Sequence, residues 1–203
     1  MSMPETEPRQ VKRKVIAARE DLVNELAIIA KKRGSTLYAL VNEIIEQAIR
    51  AEAMGVALRE VLDVYEFLRA NRAAGLTTLP IDFLNTLASR NSDDNILKLA
   101  HECGKWYGEF LLIRFAPNTT EPQDLAPFIE RILRETRWEL TEVSARAEND
   151  CVRIRAVSLV LNAEATKIVA RYIEGLLNAF NYYTKHVNTH RGIIDVIACR
   201  SSS

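Results

Sequence analysis

The chain has 203 residues, of which 48% are hydrophobic and 27% are charged, and its 27 basic residues balance 27 acidic ones. This composition predicts a folded globular protein of one or two domains, and the zero net charge excludes a uniformly basic coat for nucleic acid. No apolar run approaches the roughly 20 residues that span a bilayer, and the polar N-terminus matches neither a secretory signal nor a transit peptide, so we expect a cytoplasmic protein without membrane insertion.

Positive charge is nevertheless concentrated near the N-terminus. Between Arg9 and Gly34 the sequence has eight basic residues and three acidic ones, so the remainder of the neutral chain is net acidic. One basic end on an otherwise neutral chain is typical of a modular DNA-binding protein, because phosphate contacts need a local positive surface rather than a high overall charge.

An arm, a strand and a helix are predicted at the start of the chain. Residues 1–10 are expected to be a disordered arm, and Val11–Ala18 is short and partly β-branched, which favours an extended strand. Glu20–Arg33 has apolar side chains at helical spacing, two acids in its first turn and three cations in its last. Both charge placements suit the helix dipole.

A second amphipathic helix follows Gly34, a residue that suits the end of the first helix. Ser35 or Thr36 is a suitable N-cap for it, and its broad apolar face extends to about Glu52. One strand and two helices of this length can neither bury that face nor pair that strand alone. Two chains that pair their strands and interlock their helices satisfy both requirements, so we expect a homodimer.

This order of strand, helix, glycine turn, Ser-Thr cap and helix resembles the ribbon-helix-helix repressors of the CopG/Arc/MetJ type over Lys12–Glu52. The resemblance implies that residues 11–54 form an intertwined dimeric domain whose ribbon enters the major groove of double-stranded DNA. The expected function is that of a sequence-specific transcriptional regulator. The implied DNA contacts are Lys12, Arg13, Lys14, Val15 and Ala17 on the strand, and a phosphate clamp at Ser35, Thr36, Leu37 and Tyr38.

Two registers of the strand remain open. One turns Arg13, Val15 and Ala17 toward the DNA, where the two apolar side chains would contact thymine methyl groups. A slip by one residue turns the other face outward, including Lys12 and Lys14. The alternative to DNA binding is a ribbon that only dimerises, in an interaction or tethering protein or an antitoxin-like protein.

Residues 55–203 predict a helix-rich α+β domain with a small antiparallel sheet. The predicted helices are Val56–Ala73, Asp82–Ser89, Asp93–Phe110, Gln123–Arg137 and Ala163–Lys185. The predicted strands are Trp138–Ala147, Asp150–Val160 and Ile193–Cys199. The segment Phe110–Phe115 can either extend the long helix or form a further strand.

This succession resembles the 4-vinyl-reductase domain and the related small subunits of the TRAPP vesicle-tethering complex, over about Asp93–Ala198. Leu99–Gly108, the Trp138–Val160 hairpin and Tyr172–Leu177 carry the resemblance. It implies a sensor or dimerisation domain with a pocket for a hydrophobic small molecule. A filled core that only braces the dimer is the alternative. The predicted pocket residues are Gly104, Trp106, Gly108, Tyr172 and Gly175, and the three glycines predict either pocket space or a close approach of two helices.

Metal binding is considered because of the histidines. A strand at Phe110–Phe115 would create a ferredoxin-like plait, so that the chain would resemble the nickel-responsive repressors of the NikR type. His186 and His190 would then be candidate ligands, with His101 and Cys103 as further donors. However, His190 is expected beyond the end of its helix, which separates it from His186. We therefore expect neither a metal nor another cofactor.

Catalytic motifs are absent from the sequence, which contains no G-x-S-x-G, P-loop, H-E-x-x-H or Rossmann glycine pattern. We therefore expect no enzymatic activity. Cys103, Cys151 and Cys199 are far apart and odd in number, and form no C-x-x-C pair. This spacing predicts reduced, partly buried thiols rather than a disulfide framework.

Overall fold

A computed structural model describes residues 14–91, 93–115, 121–137 and 139–200 of the chain. The described residues form two compact units that divide after Val61, whereas the sequence places this division at Met54. The first unit is helical, and the second combines helices with a four-stranded antiparallel sheet. The α+β class predicted from the sequence is therefore confirmed.

Two helices build the first unit, α1 (Glu20–Lys32) and α2 (Leu37–Ala53). Gly34 adopts a φ of 65° after α1, in the left-handed region that a glycine occupies without steric cost. The next helix is capped by Thr36, whose Oγ1 accepts a hydrogen bond from the Ala39 N–H at 3.1 Å. Both helices end within about two residues of their predicted bounds, inside the usual uncertainty of helix ends.

Five further helices follow, and the division after Val61 falls within the first of them. They are α3 (Leu58–Ala73), α4 (Ile81–Arg90), α5 (Asp94–Phe115), α6 (Pro122–Thr136) and α7 (Ala163–Ala179). Because α5 continues without interruption to Phe115, the strand considered for Phe110–Phe115 does not form, and the ferredoxin-like plait is wrong. Among the described residues, no helix combines the length and apolar character that a membrane span requires.

The sheet consists of β1 (Glu142–Glu148), β2 (Cys151–Val157), β3 (Tyr182–His190) and β4 (Ile193–Arg200). Its strand order is β1-β2-β4-β3, and every neighbouring pair is antiparallel. A tight turn at Asn149, with a φ of 53°, joins the first two strands as the sequence predicts.

One face of the sheet is buried and forms the core of the second unit with α5, α6 and α7. Alternate residues of the two central strands point into this core and are at most 1% exposed: Val152, Ile154, Ala156, Ile194, Val196 and Ala198. The apolar faces of the helices pack on them, including Leu111, Ile129 and Ile173. The alternation of β2 places its arginines on the opposite face.

The predicted end of the long helix at Lys185 is wrong. The helix ends at Ala179, and Asn181 adopts a φ of 64°, a conformation that asparagine tolerates better than most residues. Tyr182–His190 then forms β3 instead of a helical end. A β-bulge between Thr184 and His186 shifts the inward positions from even to odd numbers, which hides the alternation from sequence analysis.

The prediction of three reduced cysteines is also wrong for two of them. Cys151 and Cys199 form a disulfide between β2 and β4, whereas Cys103 is a free, exposed thiol on α5. The two bonded residues are 48 positions apart in the chain. They become neighbours only because β4 pairs with β2, which residue spacing does not reveal.

Candidate functional site

The predicted phosphate clamp lies where α2 begins. Ser35 and Thr36 are exposed between the two helices, and Leu37 and Tyr38 form the first turn of α2. A helix N-terminus carries partial positive charge and N–H groups that extend along the axis, which together suit a phosphate. The hydrogen bond from the Ala39 N–H to Thr36 fixes this end of the helix. All four predicted clamp residues lie at this end.

The predicted DNA-reading strand is described only in part. Lys12 and Arg13 lie outside the described residues, and Lys14–Arg19 forms neither helix nor strand in the single chain. Val15 and Ala17 are exposed. Since a lone strand has no ladder partner, the pairing predicted for this segment requires a second chain and stays a prediction.

Exposed cations flank α1 at both ends. Lys31, Lys32 and Arg33 end the helix, and Arg33 lies 3.8 Å from Glu43 in a loose surface pair. Arg19, which precedes the helix, is hydrogen-bonded to Asp21, and this contact lowers the pKa of the Asp21 carboxyl group. Lys31 and Lys32 are exposed, where a partner can reach them.

Much of the apolar surface of the first unit is exposed to solvent. Among the described residues of this unit, only Ala30, Leu40 and Ala51 are buried hydrophobic side chains. Six large hydrophobic residues of α1 and α2 are between 37% and 63% exposed: Leu22, Ile28, Ile29, Tyr38, Ile44 and Ile49. A unit of this size needs a larger core than two alanines and one leucine provide, so a partner surface is expected.

The predicted pocket glycines lie instead in a close seam between α5 and α7. A Cβ on Gly104 would lie 2.0 Å from the Tyr172 carbonyl oxygen, and one on Gly175 would lie 1.9 Å from that of His101. At Gly108 the nearest atom, the Ala179 Cβ, would be 2.5 Å away. The close helix approach expected at these glycines is thus present. The space beside them is filled by the facing helix.

Two aromatic residues and an arginine form a polar cluster beside this seam. The Tyr107 and Tyr172 rings lie 6.2 Å apart, and the Arg137 guanidinium is 4.6 Å from the centre of the Tyr172 ring. The Tyr107 hydroxyl donates a hydrogen bond to Asn71 Oδ1 at 2.6 Å. Burial raises the pKa of Tyr107 to about 12 and raises that of Tyr172 as well, so both hydroxyls remain protonated. Trp106, also predicted for the pocket, is 48% exposed.

The outer face of the sheet, turned away from the helices, was not predicted as a site. Its side chains form four rows across the strands, in the order β1, β2, β4, β3: Glu148, Cys151, Cys199, Tyr183; Arg146, Arg153, Ile197, His186; Ser144, Arg155, Asp195, Asn188; and Glu142, Val157, Ile193, His190. The arginines of β2 are visible in the sequence. Their neighbours depend on β3, whose first residues the sequence assigns to a helix.

An open groove of about 730 Å³ crosses one end of this outer face and has a mixed polar and aliphatic lining. Asp195 in this groove accepts two hydrogen bonds from Arg153, at 3.0 and 2.7 Å, and lies 3.5 Å from Arg155. These contacts, the hydrogen bonds above all, lower the pKa of Asp195. The two arginines therefore balance the negative charge of this carboxylate within the sheet.

The histidines considered as metal ligands do not converge. His186 and His190 are four residues apart on one strand, which separates them by roughly 13 Å. His101 is on α5, where its Nε2 lies 3.0 Å from Asn178 Oδ1. Within the part of the chain that the structure describes, no three His, Cys, Asp or Glu side chains are grouped to hold a metal ion.

Compared with known proteins, the chain matches no protein-family model and has no significant match among curated proteins. Residues and geometry therefore carry the functional interpretation.

Proposed function

We propose that the chain is a sequence-specific, DNA-binding transcriptional regulator that acts as a homodimer through its first unit. The observation that carries this proposal is the uncovered apolar surface of α1 and α2, since these helices bury only three hydrophobic side chains in the single chain. A second copy would cover this apolar surface with the same apolar surface of its own. Its residues 11–18 would also pair as a strand with residues 11–18 of the first copy.

Charge and helix geometry support DNA as the ligand of this dimer. The segment that includes Lys12, Arg13 and Lys14 is basic, and dimerisation doubles its charge. The capped N-terminus of α2 offers a second point of contact to the phosphate backbone in each copy. Phosphate contacts would position the dimer, and the paired strands would contact base edges in the major groove.

For the second unit, we propose that it braces the dimer, with ligand sensing as the rival role. The seam between α5 and α7 supports bracing, because the predicted pocket glycines contact the backbone of the facing helix. Native mass spectrometry of the purified chain separates the two roles. A retained hydrophobic molecule that changes DNA affinity would support sensing, and an empty chain indifferent to lipid extracts would support bracing.

Selection from random duplex DNA tests the main proposal with the full chain. We expect an enriched motif with two-fold symmetry, and an affinity that falls steeply with salt because neutralised phosphates release counterions. Replacing Lys12, Arg13 and Lys14 by Ala should abolish binding while the dimer survives.

The matched control removes three exposed cations from the second unit, Lys98, Lys105 and Lys167, and should leave both affinity and salt dependence unchanged. If the selection returns no motif, or if both triple variants bind alike, the DNA-binding proposal is wrong. The first result would favour the interaction or antitoxin-like alternative.

A further inference from the structure

The disulfide of the second unit lies in an accessible place. Cys151 is the first residue of β2, and Cys199 is the last residue but one of β4, so the bond closes one end of the β2–β4 ladder. Both side chains are partly exposed on the outer face, between Glu148 on β1 and Tyr183 on β3. Neither side chain is fully buried among the described residues, which leaves the bond open to a small thiol reagent in solvent.

The register brings the two cysteines into direct opposition. The Arg200 N–H donates to the Asp150 carbonyl oxygen at 3.0 Å, one residue beyond both cysteines. Cys151 and Cys199 are therefore a non-hydrogen-bonded pair, the type in which opposed side chains lie closest. Their Cα atoms are 3.9 Å apart. Two thiols at these positions remain neighbours whenever the strands are paired, so the bond can form again after it is broken.

Pairing and packing also hold these two strands together, besides the covalent link. The strands β2 and β4 pair over seven residues, from Cys151–Cys199 to Val157–Ile193. Between these ends, Val152, Ile154 and Val196 are completely buried against the helices. A register shift by one residue would turn these side chains to solvent, so packing favours the same alignment of the two strands as the disulfide does.

We propose that Cys151 and Cys199 form a reversible dithiol–disulfide couple, a redox site on the outer face that operates while the sheet stays folded. A thiolate of a dithiol reductant attacks one Sγ atom, the S–S bond breaks, and the other cysteine leaves as a thiolate that takes up a proton. The second thiol of the reductant then attacks the mixed disulfide and releases the first cysteine. Two electrons pass to the protein, and the reductant becomes a disulfide.

The reverse reaction uses a disulfide oxidant of the glutathione type by the same exchange. One cysteine thiolate attacks the oxidant and forms a mixed disulfide with one glutathione, releasing the other as a thiol. The second cysteine then displaces the bound glutathione and closes the protein disulfide. This inference is independent of the proposed DNA-binding function, since it concerns only the second unit.

Thiol counting on the native full-length chain tests the couple. With an aromatic disulfide reagent and no denaturant, we expect one reactive thiol before treatment, from Cys103. After dithiothreitol and its removal we expect three, and treatment with glutathione disulfide should remove the two thiols of the couple from the count. In Cys103→Ser the counts should be zero, two and zero. The double variant Cys151→Ser/Cys199→Ser should give one both before and after dithiothreitol, which controls for reagent access elsewhere.

Hydrogen exchange shows whether the sheet stays folded during the cycle. On reduction, the Arg200 amide at the end of the ladder should exchange faster, while the amides of Ile154 and Val196 keep their protection. The proposal is overturned if the bond resists dithiothreitol until the chain is unfolded. It is equally overturned if reduction unfolds the sheet, or if the untreated protein already shows three thiols.

Discussion

The two units of this chain use their apolar residues in opposite ways. In the second unit a continuous core joins the sheet to its helices, and residues such as Leu111, Ile132 and Ile173 are completely buried. In the first unit, Ile28 and Ile49 are more than half exposed on helices that are equally well formed. Helix formation and core formation are therefore separate properties, and the first unit achieves only the former within one chain.

The largest expected effect comes from the seam that holds the second unit together. Replacing Gly175 by Ala places a Cβ 1.9 Å from the His101 carbonyl oxygen, and a backbone atom cannot turn away as a side chain can. Alanine favours a helix by about 1 kcal/mol over glycine, but this gain is smaller than the cost of separating the helices. We expect unfolding free energy to fall by about 3 kcal/mol.

Tryptophan fluorescence in urea measures this change, because both tryptophans of the chain, Trp106 and Trp138, belong to the second unit. The control is Glu102→Ala, at an exposed position of α5 next to His101, and should alter stability by less than about 0.5 kcal/mol. A Gly175→Ala variant as stable as the control would contradict the close seam.

A second prediction concerns the first unit. Ile44 lies one helical turn after Leu40 on α2, and in the single chain it is 37% exposed. If a second copy covers this face, Ile44→Glu buries an unpaired carboxylate at the interface and should weaken the dimer by about two orders of magnitude. Sedimentation equilibrium measures the dissociation constant.

The matched control places the same carboxylate on the opposite side of α2. Ala53 is exposed and about 180° around the helix from Ile44, so Ala53→Glu should leave the dimer intact. Tryptophan-detected unfolding of the second unit should be unchanged in both variants. Equal sedimentation of the two variants would mean that this face of α2 is not the interface.

The two N-caps provide a third comparison. Asn162 accepts the Ala165 N–H at 2.8 Å, and its Nδ2 also donates to Asn85 O at 3.0 Å and Ser89 Oγ at 2.9 Å. Among the described residues, the side chain of Thr36 makes only its capping bond. We expect Asn162→Ala to cost about 2 kcal/mol and Thr36→Ala about 1 kcal/mol. Circular dichroism should detect both losses, whereas tryptophan fluorescence should detect only the first. If tryptophan fluorescence detected the loss of stability in Thr36→Ala as strongly as circular dichroism does, the division of the chain into two units would be contradicted.

Much of the helical structure could be predicted from the sequence, because its signals are local. The acidic start and basic end of α1, the glycine after it and the Thr36 cap all lie within a few residues of the feature that they determine. The seam glycines were also identified, since a glycine inside a helix such as Gly175 requires a packing reason. Their contact partners on the facing helix were not.

The features that sequence analysis missed depend on strand pairing. The bulge in β3 disrupts the two-residue alternation, so its first residues, Tyr182–Lys185, are assigned by the sequence to the preceding helix. Without β3 the outer face could not be assembled, and its charged rows could not be recognised. The Cys151–Cys199 disulfide was missed for a related reason, because only the register of β2 against β4 makes these residues neighbours.

The smallest predicted effect is the pH dependence of the outer face. The pKa of Asp195 is lowered in the folded chain, chiefly by its hydrogen bonds to Arg153. This pair therefore adds stability above the pKa of an unfolded aspartate, about 4, and the addition is lost as pH falls through the lower folded value. We expect Asp195→Asn to cost about 1 kcal/mol at neutral pH, where the pair is partly screened by solvent.

The difference between wild type and Asp195→Asn should shrink as the solution is acidified and vanish once the carboxyl group is protonated in both states. Urea unfolding followed by tryptophan fluorescence at several pH values measures it. Glu142→Gln, on the same face at an exposed position, serves as the control and should show little difference at any pH. A constant difference for Asp195→Asn at every pH would contradict the ion pair as its cause.

Both edge strands of the sheet have features that oppose pairing with a strand of another molecule. At the β1 edge, Glu130 on α6 accepts the Ala145 N–H at 2.8 Å, and Arg134 donates to the Val143 carbonyl oxygen at 3.1 Å. A foreign strand would have to displace these side chains to extend the sheet there. The β3 edge is interrupted by its bulge at Lys185, which spoils the flat template that amyloid-like growth requires and adds a charge to it. The same irregularity that conceals β3 in the sequence thus guards the protein against aggregation.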